Sequence, residues 1–190
     1  LSIPVSYAIA RYDFRYKKMF LLSTLLIRMV PPIVIIIPFY ILFGKKLGLI
    51  DSYPTLILIY LTFNMPYAVW MISTFIKELP KDFEESAMID GCSRFGAFVH
   101  ATLPLVLGGV AATAIFVFIM SWNEFVFALI LTGRITKTLP VMMLGYITEG
   151  APLWGQLAAA SSLSLIPVFV FSLVTQRYII RGMTFAALKG

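Results

Sequence analysis

The densest group of ionisable residues in the chain is acidic and lies at the start of a predicted helix. Asp82, Glu84 and Glu85 follow Pro80, and a helix beginning there places them in its first turns, where the helix dipole stabilises anions. Gly91 predicts the end of this helix, because glycine readily adopts the left-handed conformation found there. By themselves, carboxylates in this setting are typical of an ordinary surface helix with a solvated acidic face.

A second short helix is predicted after Gly91. Ser93 is a suitable N-cap. Apolar and small polar residues then recur at helical spacing and form one largely apolar stripe, made of Phe95, Phe98, Val99 and Thr102. Pro104 is expected to lead from this short amphipathic helix into the next span.

Residues suited to catalysis or metal binding are few. The chain has one cysteine, Cys92, so an internal disulfide is excluded. It has one histidine, His100, and these two residues alone do not support a Cys/His metal site. It has no phosphate-binding loop of the Gly-x-x-x-x-Gly-Lys-Ser/Thr type, no nucleophile elbow and no His-Glu-x-x-His sequence. We therefore predict no catalytic residue, metal or cofactor, and we expect any ATP hydrolysis to belong to another chain.

The composition indicates a membrane protein. Of 190 residues, 60% are hydrophobic and 13% are charged, and the mean hydropathy is +0.92, whereas soluble domains carry roughly 25% charged residues. Four segments with few charges exceed the roughly 20 residues that a membrane helix needs, and they cover 19–44, 52–76, 101–123 and 150–176. Residues 1–9 are interpreted as the tail of another span. We predict an all-α, polytopic transmembrane bundle, N-terminally truncated, with four whole spans and part of a fifth in one domain over 1–190.

The distribution of basic residues predicts the orientation. If the spans alternate, ten Lys and Arg residues share one side with residues 77–104 and the C-terminus, and four lie on the other side. The more basic side is expected in the cytoplasm. In so apolar a chain, the net charge of +6 indicates anionic lipid rather than nucleic acid as the partner.

Polar residues within the spans are candidates for a solute pathway, because they are costly to place in lipid. Glu124 lies late in its span, next to Asn123 and Trp122. It would either line an outward-facing cavity and bind hydroxyl groups or hold two helices together. Asn64 would either supply a polar contact to the solute or serve as an interfacial anchor or packing residue. Arg28 lies near mid-membrane and needs a partner.

The spacing within residues 77–104 resembles a known motif. Glu85-Ser86-Ala87, three residues, Gly91, nine residues and Ala101-Thr102-Leu103-Pro104 resembles the EAA loop of ABC-importer membrane subunits, with Ser86 and Ala101 as small departures. Shorter matches resemble one subgroup, the carbohydrate permeases similar to the maltose-system inner-membrane subunit. They are 8–14, 47–51, 87–91, 122–125 and 176–178.

The resemblance implies the type I ABC-importer permease fold and a cytoplasmic coupling loop at 77–104. The residues it implies for docking on a separate ATPase dimer are Phe83, Glu84, Glu85, Ser86, Ala87, Met88, Asp90 and Gly91. It also implies a sister permease subunit, an extracytoplasmic solute-binding protein, surrounding lipid and a small solute of the sugar class. The location implied is the inner membrane, as a multi-pass protein that forms half of a pore and is not itself an enzyme.

Three other functions remain compatible with the residues. One is an ABC permease for a different solute, such as a polyamine, a phosphate ester or a peptide. Another is an ATP-independent secondary transporter or channel, in which residues 77–104 would have no task. The third is an assembly subunit without a pore, which would tolerate changes at the predicted pathway residues.

Overall fold

The structure is a computed structural model that describes residues 1–147 and 152–187, apart from the side chains of residues 25, 28 and 177–187. The regular secondary structure of the described residues is helical, which confirms the predicted all-α class. The longer helices are α1 Ser2–Arg11, α2 Lys17–Met29, α3 Pro32–Tyr40, α4 Tyr53–Glu78, α5 Asp82–Ile89, α7 Leu103–Trp122 and α10 Trp154–Ala187. The shorter ones are α6 Arg94–Ala97, α8 Val126–Leu131, α9 Leu139–Met143, π-helical turns at Ile41–Lys46 and Phe98–Thr102, and a 3₁₀ turn at Leu144–Tyr146.

Three of the four predicted whole spans form helices long and apolar enough to cross a membrane. Among the described residues these helices are Tyr53–Glu78, Arg94–Trp122 and Trp154–Gln176. They correspond to the predicted segments 52–76, 101–123 and 150–176. The prediction of these three spans from charge-free segments is therefore confirmed.

The remaining predicted span, 19–44, is not one continuous helix. Helix α2 ends at Met29 and α3 begins at Pro32, and the Ile41–Lys46 turn follows α3. Two consecutive prolines, Pro31 and Pro32, explain the break, because proline has no N–H to donate and disfavours helical conformation in the residue before it. A charge-free run establishes that a segment is apolar but does not establish that its helix is unbroken.

Pro104 lies at the start of the next span, as predicted, but the short helix before it is not separated from that span. Ser93 does cap a helix, since its Oγ accepts from the Gly96 N–H at 3.1 Å, but that helix does not stop before the span. Helix α6 runs through the Phe98–Thr102 turn directly into α7, and Pro104 lies at the beginning of α7. The π-helical turn widens the helix just ahead of the proline ring, which relieves the clash a regular α-helix would have with the carbonyl four residues earlier.

Packing divides the chain into two units. Unit 1 comprises Leu1–Thr24, Met65–Val117 and Ser172–Gly190, and unit 2 comprises Leu25–Asn64 and Phe118–Phe171. The core of unit 1 contains Ile72, Ile76 and Val106, with residues of α1 packed against them.

Unit 2 has an aromatic core. Ile36, Phe43, Ile59, Phe127 and Leu131 are buried together. The rings of Phe63 and Phe127 stack with their centroids 4.7 Å apart. Rigid aromatic packing of this kind supports the short helix α8 and the loops next to it.

Candidate functional site

The predicted acidic helix is present as α5. It begins at Asp82, two residues after Pro80, and its C-terminal end is followed by Gly91 at φ +90°. That conformation strains any residue that has a β-carbon. Gly91 thus ends the helix as predicted and turns the chain toward α6.

The predicted docking residues are not equivalent in their exposure. Phe83, Glu85, Ser86, Met88, Asp90 and Gly91 are exposed, and Ala87 is half-buried. Glu84 differs from all of them, because only 7% of its surface is exposed. The helix therefore has an open face and an inward face, and Glu84 occupies the inward one.

The Glu84 carboxylate binds three side chains within unit 1. Arg11 Nε lies 2.6 Å from Oε1, the Tyr7 hydroxyl donates to Oε2 at 2.8 Å, and the Thr102 hydroxyl donates to Oε1 at 2.8 Å. Arg11 also donates from Nη1 to the carbonyl of Leu79 at 3.1 Å. We call Tyr7, Arg11, Glu84 and Thr102 the Glu84 cluster. It joins α5 to α1 and to the residues just before α7.

The ion pair of the Glu84 cluster is shielded from solvent. The side chains of Arg11 and Glu84 are each at most 10% exposed. Removing one partner of such a pair leaves an uncompensated buried charge, which is far more costly than losing an exposed ion pair. A cavity of about 230 Å³ opens beside the pair and is also lined by Lys81, Met88 and Arg94.

Sequence reasoning did not find the cluster. Arg11 and Glu84 lie 73 positions apart, and helical periodicity relates only residues within one helix. Arg11 does belong to the segment 8–14 that carried part of the family resemblance. That match was the only available signal.

A second polar site lies in unit 2, where Asp51 binds a run of backbone amides. Its carboxylate accepts from the N–H groups of Gly133, Arg134, Ile135 and Thr136 at 2.8–3.1 Å, and from the Thr136 hydroxyl at 2.8 Å. Successive N–H groups that converge in this way form an anion-binding nest. Here the bound anion is the carboxylate of Asp51, a residue of the protein itself.

The nest determines the charge state of Asp51. The N–H of Ile135, followed by those of Thr136 and Gly133 and by the Thr136 hydroxyl, holds the pKa of the Asp51 carboxyl well below its usual range. Asp51 itself has φ 59°, a left-handed conformation that aspartate tolerates better than most residues. The interaction ties the loop before α4 to the loop after α8.

Of the predicted pathway residues, Glu124 has a clear local role. Its carboxylate accepts from the N–H groups of Phe127 and Ala128 at 2.9 and 3.1 Å, and from the Tyr60 hydroxyl at 3.2 Å. Glu124 thereby caps the first turn of α8, whose N–H groups have no partner within the helix. Its oxygens bind the protein itself.

The other three pathway residues are arranged around the end of α7. Asn64 donates to the Ser121 hydroxyl at 2.9 Å, and the Trp122 indole donates to the carbonyl of Ser164 at 3.1 Å. Asn123 is exposed, and its amide donates to the carbonyl of Ile119 at 3.0 Å. All of these residues except Asn123 are half-buried.

Two predictions from the sequence concern parts of the chain that the structure does not describe. The side chain of Arg28 and the C-terminal residues 188–190 lie outside the described part of the chain.

Among the described residues, no three His, Cys, Asp or Glu side chains come together in a way that would hold a metal ion.

Comparison with known proteins identifies the family. The model of the family described as "Binding-protein-dependent transport system inner membrane component" matches residues 2–185. The chain belongs to this family. It is a multi-pass membrane permease, and the family resemblance predicted from the EAA-type spacing is confirmed.

Curated relatives match this permease over its whole length. A probable ABC transporter permease protein, y4oR of Sinorhizobium fredii, is 40% identical over 189 residues, which are 68% of its own length. The trehalose transport system permease protein SugB of Mycobacterium tuberculosis is 36% identical, with 70% of its length covered. The trehalose/maltose transport system permease protein MalG of Thermococcus litoralis is 35% identical, with 69% covered.

A solved structure has the same fold. It is a chain of a bacterial ABC transporter involved in the import of the acidic polysaccharide alginate, with a TM-score of 0.67 and 20% identity. The match covers 93% of the permease and 66% of the solved chain. At this identity the match establishes the fold alone, and it agrees with the predicted importer-type bundle.

Proposed function

We propose that this permease is one subunit of a sugar importer of the inner membrane, in which it forms half of the translocation pore and couples to a separate ATPase dimer. The observation that carries the proposal is helix α5, which lies between two span-length helices and has an open face. Relatives with trehalose and trehalose/maltose in their names support the sugar class of solute.

The open face of α5 is suited to docking in a cleft of the ATPase. Glu85 and Asp90 provide exposed charge, Met88 provides an exposed apolar group, and small Ser86 permits close approach. Phe83 and Ala87 flank this surface, and Gly91 provides the turn at its end. Glu84 acts differently in this proposal, because its carboxylate holds the helix from the inward side.

The orientation follows from charge. The positive-inside rule places residues 77–104 and the C-terminus in the cytoplasm, on the same side as an ATPase that draws on cellular ATP. A sister permease would supply the other half of the pore. A solute-binding protein would deliver the solute from the opposite side.

For the pathway, we propose that Asn123 presents the polar group that meets the solute. Asn64, Trp122 and Glu124 hold the segment that presents it, since each is engaged with another part of unit 2. Amide groups are suited to sugar hydroxyls, because one amide both donates and accepts hydrogen bonds.

The test is purification of the full-length protein from its native membrane, with identification of the chains that accompany it. An ATPase subunit is expected with the wild type and is expected to be lost from Glu85→Lys, which reverses a charge on the open face of α5. Asp13→Lys makes the same charge reversal at a site outside α5 whose side chain is 97% exposed, and it is expected to keep the ATPase.

Two results would contradict the proposal. If no ATPase accompanies the wild type and the protein still transports solute, it is an ATP-independent transporter. If an ATPase is retained equally by Glu85→Lys and Asp13→Lys, the open face of α5 is not the docking surface.

A further inference from the structure

The Glu84 cluster connects the inward face of α5 to two other helical segments of unit 1. Arg11 and Tyr7 belong to α1, whereas Thr102 immediately precedes α7. One carboxylate thus binds both segments at the same time. Any displacement of α5 that preserves these bonds must carry the end of α1 and the start of α7 with it.

The two faces of α5 are placed for such transmission. Ile89, which is 86% exposed, lies five residues after Glu84. At 3.6 residues per turn this separation is roughly 140° around the helix. A partner pressing on the open face therefore pushes on the side of the helix away from the Glu84 cluster.

The chemistry of the link resists sliding. The apolar contacts of the unit 1 core, among Ile72, Ile76 and Val106, are not directional and permit small shifts between helices. The Arg11–Glu84 pair is directional and buried, so separating it would leave an unpaired charge away from water. The Tyr7 and Thr102 hydroxyls add neutral hydrogen bonds that hold the same carboxylate in place.

We propose that Glu84 is a positioning residue that makes the Glu84 cluster a rigid joint, through which displacement of α5 is passed to α1 and α7. This proposal rests on the proposed function, in which an ATPase moves α5. Glu84 acts through Arg11, Tyr7 and Thr102 and does not itself contact the ATPase or the solute.

The test measures whether α5 and α1 move together in the full complex of permease subunits and ATPase. Spin labels are placed at Ala8 in α1 and at Asp82 at the start of α5, which are both exposed and lie outside the proposed docking residues, and the distance between them is measured without nucleotide and in an ATP-trapped state. The otherwise wild-type complex is expected to give one distance in both states.

Glu84→Gln removes the charge pair with little change in side-chain size, and Arg11→Gln removes the charge pair together with the guanidinium fork. On ATP trapping, each is expected to add a population shifted by about 5 Å, roughly one helical turn. The swapped pair, Glu84→Arg with Arg11→Glu, is expected to restore a single distance. Asp13→Asn, which removes an exposed pair with Lys17, is the matched control and is expected to behave as the wild type.

If the Glu84 cluster serves folding alone, the label distances in these variants are expected to differ from those described above. If Glu84→Gln and Arg11→Gln assemble with the ATPase, hydrolyse ATP and keep a single distance in both states, the joint is overturned. If either fails to assemble, Tyr7→Phe and Thr102→Val keep the ion pair and decide the question. Broadening of the ATP-trapped distance in these two variants supports the joint, and an unchanged distance overturns it.

The proposed function and the joint fail in distinguishable ways. If no ATPase is purified with the wild-type protein, both proposals are contradicted, because both require an ATPase that moves α5. Presence of the ATPase in every variant, together with unchanged label distances, ends only the joint.

Discussion

The carboxylate of Asp51 occupies the space in which Gly133 would carry a side chain. A β-carbon built on Gly133 would lie 2.8 Å from Oδ2 of Asp51 and 3.2 Å from its β-carbon. The Gly133 N–H donates to the same carboxylate at 2.8 Å. Glycine is therefore required here for close approach of the backbone to an anion.

Gly133→Ala is expected to destabilise the protein, because the added methyl group must push Asp51 out of its nest of N–H groups. Overpacking of this kind costs about 1–3 kcal/mol. Thermal unfolding of the purified protein in detergent measures the loss. Gly145→Ala is the control, since a β-carbon there meets nothing within 4 Å, and equal unfolding temperatures for the two variants would contradict the prediction.

The stability of the protein is expected to depend on the ionisation of Asp51. Its pKa is lowered in the folded state, so its contribution is fully present above the ordinary aspartate pKa of about 3.9. That contribution is lost as the pH falls further, through the folded-state pKa. Asp51→Asn should unfold at a lower temperature than the wild type at neutral pH, and the difference should shrink on acidification below about pH 4.

Asp13 provides the contrast. Hydrogen bonding to Lys17 lowers the pKa of Asp13 as well, but the Asp13 side chain is 97% exposed. Exposed pairs contribute little and are screened by salt. Asp13→Asn should leave the acid profile nearly unchanged, and an effect as large as that of Asp51→Asn would argue against the nest as the cause.

Gly109 is expected to tolerate substitution poorly. A β-carbon on Gly109 would overlap the ring of Phe75. Gly109→Ala should therefore lower the unfolding temperature, at a cost of about 1–3 kcal/mol. Gly155→Ala has open space and serves as the control.

A second substitution tests the cause of the Gly109 effect. Phe75→Leu removes ring atoms from the site of overlap, so the double variant should recover part of the stability that Gly109→Ala loses. Strict additivity of the two single changes would mean that the ring is not the obstacle.

Glu124 and Asn123 are neighbours in sequence but should respond differently to substitution. Glu124→Ala removes the acceptor for two N–H groups of α8, and loss of a helix cap costs about 0.5–2 kcal/mol. Asn123→Ala should leave the unfolding temperature almost unchanged and should raise the KM for sugar import in reconstituted vesicles. A normal KM in Asn123→Ala would remove it from the pathway, and a normal unfolding temperature in Glu124→Ala would remove its capping role.

Several features follow from local chemistry and are predictable from the sequence. Gly91 ends α5 and Ser93 caps α6 because these positions satisfy backbone conformation and hydrogen bonding within a few residues. Three apolar helices coincide with charge-free runs, because the absence of charge is likewise a property of one continuous segment. Local information failed at Pro31, because the spacing of residues alone does not say whether a proline breaks a helix or is accommodated within it.

By itself, the sequence determined that the chain is all-helical and spans the membrane and where its coupling-type helix begins and ends, because apolar length, glycine and caps act along the chain. The permease family was indicated by the resemblance of its motifs. Only the tertiary structure decided that Glu84 points inward to Arg11 while Glu85 remains exposed, and that Asp51 binds the backbone after α8. These pairings join residues more than 70 positions apart. They depend on which helices pack together, and no periodicity within one segment encodes that.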